Sequence, residues 1–149
     1  MSSDRGIFQG HYTSGKPFVR ARIVIVNPET GRQTTIEKNF WIDTGFDGGV
    51  HVAQAHVSEI QLIKVNPRLG PVGLAGGVKR PGYFCHAYLQ QIGDHEFPAP
   101  GIDSTLILQG SSGHGFLGLE ILRRFVATFD GPHEFLKIGQ AQQSQSREA

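Results

Sequence analysis

The chain of 149 residues holds a single cysteine, Cys85, so no disulfide framework can form within it. Charge is sparse and almost balanced, with 14 basic and 13 acidic side chains and a formal net charge of +1. Nucleic-acid binders gather Lys and Arg on one face, whereas the adjacent basic pairs here are only Lys79-Arg80 and Arg123-Arg124. A nucleic-acid partner is therefore not expected. No apolar run approaches the roughly 20 residues that span a bilayer, and residues 1–10 are polar with no apolar segment of the secretory kind. The expectation is a soluble domain away from membranes, and the lone thiol fits the reducing cytoplasm.

Ligating patterns are also missing. Seven histidines are scattered along the chain. His51 and His56 lie five apart without a third ligand at a familiar spacing, and His-Glu-x-x-His does not occur. No metal or other cofactor is expected. The run Gly110-Ser111-Ser112-Gly113-His114-Gly115 lacks the Gly-Lys-Ser/Thr ending of a phosphate loop. It also fails as a nucleophile elbow, because His114 stands where the final glycine belongs. Cys85 falls in an extended segment and reads as a small buried hydrophobe.

Turn formers are abundant. Twenty glycines and eight prolines punctuate short β-branched and aromatic runs, the texture of an all-β domain. Residues 18–26 alternate, with Val19, Ala21, Ile23 and Ile25 on one side, and residues 33–42 return after the turn cluster at 27–31. Residues 53–63 read as a short helix with Val57, Ile60 and Ile63 as its buried stripe. Residues 83–92 and 106–108 read as strands, 119–125 as a second short helix, and 126–138 as a closing hairpin. This gives an N-terminal extension at 1–17, one domain at 18–138, and a polar, disordered tail at 139–149.

Two segments carry chemistry together. In Phe40-Trp41-Ile42-Asp43-Thr44-Gly45 an apolar strand ends in an acid, a hydroxyl and a glycine. In Phe116-Leu117-Gly118-Leu119-Glu120-Ile121-Leu122 two apolar residues and a glycine open a helix. Alone, Asp43 reads as a turn acid, the commonest role of Asp near Gly. The pair, in this order and at this separation, resembles the retropepsin-like aspartic proteases over residues 18–138, and Phe46 with Gly48 makes the loop closer to bacterial members. The resemblance implies a closed acid-protease-like β-barrel with a flap hairpin and one or two short helices. Residues Leu74, Ala75, Gly76, Gly77 and Val78 fall at the flap.

Two carboxylates about 3 Å apart cannot both ionise, so they share one proton and act as acid and base together. Asp43 is the candidate catalytic carboxylate, with Thr44 and Gly45 as its scaffold. Phe46, Asp47 and Gly48 are groove candidates beside it. The other acids sit in no second copy of the motif, so the resemblance implies a two-fold homodimer with Asp43 on its axis and a peptide or protein substrate. Residues 126–138 are the expected interface. Leu119 departs from the arginine that retroviral members carry after the late glycine. The alternative reading is a non-catalytic peptide-binding or dimerisation module on the same fold.

Overall fold

Alternation decides the longest hairpin. The computed structural model describes residues 7–46, 48–65, 68–73, 79–111 and 114–140. In it β2 (Lys16–Val26) pairs antiparallel with β3 (Gln33–Ile42), from Phe18 opposite Trp41 to Val26 opposite Gln33. Val19, Ala21, Ile23 and Ile25 of β2 are buried, as are Ile36, Phe40 and Ile42 of β3. Arg20 and Arg22 reach Glu37 at 3.2 and 3.7 Å on the outer side. Such exposed pairs contribute at most about 1 kcal/mol each, so burial sets the register. The turn is tied down by Asn27, whose Nδ2 donates to Ile63 O and Lys64 O and whose Oδ1 accepts from Glu29 N.

The remaining strands are β1 (Ile7–Thr13), β4 (Val50–Ala53), β5 (Arg68–Gly73), β6 (Lys79–Ile92), β7 (His95–Glu96), β8 (Ile102–Ser111), β9 (Phe116–Leu117), β10 (Phe125–Asp130) and β11 (Phe135–Gln140). The helices are α1 (Gln54–Leu62) and α2 (Leu119–Leu122). The fold is all-β with two short helices. Pairing runs in the order β10-β11-β1-β2-β3-β9-β4-β8-β6-β5, with β7 on β6. A further β2–β6 pairing brings the path β2-β3-β9-β4-β8-β6 back to its start. The core lies along these strands and is covered by Ile60 from α1, by Ile63 directly after it, and by Ile121 and Leu122 at α2.

Several boundaries differ from the sequence reading. Residues 7–13, assigned to an extension, form β1, which joins β11 to β2. Its turn at Ser14 and Gly15 has two positive φ values, 53° and 78°, the hairpin geometry that matches strand twist. At Gly10 a Cβ would sit 2.3 Å from Phe18 O, so only glycine passes where β1 crosses from one neighbour to the other. The second helix stops at Leu122, because Phe125 begins β10 and is buried there. Gly139 and Gln140, counted with the tail, end β11. The strand read at 106–108 extends over Ile102–Ser111, because the polar residues on either side of the apolar run in the sequence hide its length.

Candidate active site

The two motif segments, some 70 residues apart in sequence, meet at β9. This two-residue strand lies between β3 and β4. It pairs parallel with β3 through Trp41–Phe116 and Ile42–Leu117, and antiparallel with β4 through Val50–Leu117 and His51–Phe116. At the end of β3, Asp43 N donates to Leu117 O at 3.0 Å. The apolar pair before the late glycine therefore anchors the backbone of the candidate acid. Gly45 N donates to Asp43 Oδ1 at 3.0 Å, the side-chain turn that Asp favours. Phe46 N closes the loop onto Asp43 O at 3.2 Å. Asp43 is half-buried, and Thr44 and Gly45 are exposed at the loop tip.

Gly118 seals this arrangement. Its N–H donates to Gly49 O at 2.9 Å, and the next two amides, of Leu119 and Glu120, donate to Phe46 O and Gly48 O. A Cβ on Gly118 would lie 2.3 Å from Gly48 O and 2.5 Å from Phe46 O. The glycine is thus required by close backbone approach. Glu120, which the sequence reading gave no role, fixes the other side. Its carboxylate accepts from Thr105 N at 2.6 Å and from Thr105 Oγ1 at 3.2 Å, binding α2 to β8. A Cβ on Gly49 would fall 2.5 Å from Glu120 Oε1, so Gly49 leaves room for that carboxylate.

An aromatic group supports the loop. Phe46, expected in a substrate groove, is buried and packs against Phe84 and Phe116. Phe116 meets Trp41 edge-on at 5.2 Å and stacks on His51 at 4.9 Å. Lys16 Nζ sits 4.4 Å from the Trp41 ring centroid. In the sequence His51 stands out only as a possible metal ligand, five residues from His56. Its Nδ1 is buried with no hydrogen-bond partner among the described residues. Burial pulls its pKa below 6.5, while the negative charge of Asp43 pulls the other way. The imidazole therefore rests neutral within the field of the candidate acid. Val50 and Val52 fill the inward register of β4, so His51 takes the alternate face and is half-buried there only because Phe116 stacks on it.

Asp47 and Leu74, Ala75, Gly76, Gly77 and Val78 lie outside the described residues. The strands on either side of 74–78 are described: β5 and β6 pair from Arg68 opposite Phe84 to Gly73 opposite Lys79. Among the described residues no three His, Cys, Asp or Glu side chains gather as a metal site. Burial pushes the Cys85 thiol up to about 12, which leaves it unsuited to nucleophilic work. Among the described residues no helix is long and apolar enough to cross a membrane. No known family model, curated protein or solved structure matches the chain.

Proposed function

We propose that the chain is one half of a homodimeric aspartic endopeptidase in which Asp43 and its symmetry mate activate a water. The observation that carries this reading is the junction of the Asp43 loop with the late glycine segment. There, Asp43 N bonds to Leu117 O, and Gly118 packs without a side chain against Phe46 and Gly48. The pairing path that returns to β2 supports an acid-protease-like barrel, and the β5–β6 ladder suits the arms of a flap over the groove.

One chain supplies one such carboxylate. The exposed Thr44 and Gly45 leave the loop tip free to meet its counterpart across a two-fold axis. β10 offers the interface: among the described strands it pairs with β11 alone, and Val126 and Phe129 on it are 58% and 42% exposed. In the dimer the ionised carboxylate takes a proton from water while the neutral one gives its proton to the scissile carbonyl oxygen. A tetrahedral diol forms. The C–N bond then breaks as a proton passes to the leaving nitrogen, giving an acid and an amine.

The test combines sedimentation with cleavage of a flexible peptide library. A dimer is expected, with cleavage abolished by Asp43→Asn and blocked by a statine-type transition-state mimic. A well-folded protein that stays monomeric at working concentration, or cleavage that survives Asp43→Asn, overturns the reading.

A further inference from the structure

β9 is only two residues long, so it holds β3 and β4 together only at Trp41–Ile42 and Val50–His51. Beyond it a cleft of about 360 Å³ lies between β3 and the start of α1. This is within the size range of small-molecule sites, ~300–1,000 Å³. Its floor is apolar: Ile36, Phe40 and Val52 are buried beneath it. Arg20, Lys38, His56 and His114 line its basic rim alongside Asn39, with no carboxylate among the described lining residues.

Lys38 is the informative residue. On β3 it lies between Ile36 and Phe40 in the alternation, opposite Ala21 of β2. The four residues in line with it, Val19, Ile23, Ile36 and Phe40, are all buried. A lysine therefore occupies an inward register position, yet it stays exposed because the cleft takes the place of core there. Arg20 engages Glu37, and His56 engages Glu59, whereas Lys38 has no ion-pair partner among the described residues. An inward lysine on a strand with a free edge also deters edge-to-edge pairing, which is the competing account of it. That account explains neither the basic rim nor the apolar floor.

We propose that this cleft binds a small organic anion, with a carboxylate or phosphate group held by Lys38 and Arg20 and an apolar body resting on Phe40 and Val52. The site is separate from the Asp43 loop and requires neither catalysis nor a dimer. The experiment is an amide chemical-shift titration of the full chain with benzoate, phenyl phosphate, inorganic phosphate and the neutral analogue benzyl alcohol. Saturable shifts at Lys38, Phe40, Ala55 and His56 are expected with benzoate or phenyl phosphate. Whichever saturates at lower concentration identifies the head group. Benzyl alcohol and inorganic phosphate should bind more weakly, each lacking one half of the recognised chemistry. Lys38→Gln should weaken binding about tenfold or more, the effect of losing one charge-assisted hydrogen bond. Arg20→Gln provides the second variant, and both positions are exposed enough to fold normally. Absence of saturable shifts, equal binding of benzyl alcohol, or an affinity unchanged in both variants would refute the site and leave Lys38 as an edge-protecting residue.

Discussion

Replacing Gly118 by alanine tests whether the late glycine holds the Asp43 loop. Gly118 has φ −108° and ψ −169°, a conformation open to any residue, so the effect is steric. The new Cβ would lie 2.3 Å from Gly48 O, 2.5 Å from Phe46 O and 2.5 Å from Phe46 Cδ2. The closest of these is roughly 1 Å short of ordinary contact. Two of the three atoms are backbone oxygens, held by Glu120 N and Leu119 N at 3.2 and 2.8 Å, so they cannot swing aside as a side chain would. Overpacking of this kind costs ~1–3 kcal/mol, and the rigid partners put Gly118→Ala near the upper end. At ~2–4 °C per kcal/mol for a chain of this size, the expected fall in Tm is about 6–12 °C. The measurement is thermal unfolding by circular dichroism at fixed protein concentration, because the Tm of the proposed dimer would depend on it. Gly139→Ala is the control: nothing lies within 4 Å of its added Cβ, and its change should stay within about 0.5 kcal/mol. The peptide cleavage proposed for this chain, measured well below the Tm of Gly118→Ala, should fall on the order of 100-fold in that variant through displacement of the loop. A Gly118→Ala protein that melts and cleaves like the parent would refute the packing argument.

Three further outcomes follow from the same region and its surroundings. Glu120→Ala leaves Thr105 N–H without its carboxylate acceptor and should cost about 1.5–3 kcal/mol by denaturant unfolding; a change below a few tenths would mean that solvent replaces the contact. His51 resists protonation when folded, so the unfolded chain takes up more protons as pH falls below about 6.5, and stability declines with it. His51→Phe keeps the ring against Phe116 and removes that decline, so its Tm should drop less than the parent's between pH 7 and 5; parallel curves would disprove it. Raising Cys85 from 9.0 to about 12 makes its thiolate rarer by about a thousandfold, so iodoacetamide should label it slowly at pH 8 until urea unfolds the chain. Fast labelling of the folded protein would show the thiol to be accessible.

The sequence by itself determined the all-β class, the β2–β3 hairpin and the inward side of the short helix α1, where Ile60 is buried and Val57 half-buried. Each follows from local periodicity: a strand or helix that buries one face must repeat its apolar residues at that element's own spacing. The candidate acid and the late glycine were legible for a related reason, because their types and order are unusual in combination. The tertiary structure alone decided how they meet. Ile7–Thr13 carries too little alternation to announce a strand, and β1 exists because β11 and β2 present edges on both sides of it. Phe46 looked like a groove residue beside Asp43, but the loop turns its ring inward onto Phe84 and Phe116. Glu120 and His51 gained their roles only when β9 brought α2 towards β8 and β4 beside Phe116. Lys38, an ordinary polar residue in the sequence, became a cleft residue because β9 is too short to hold β3 and β4 together along their length. Local spacing fixes which face a residue takes; what that face meets depends on segments far away in the chain.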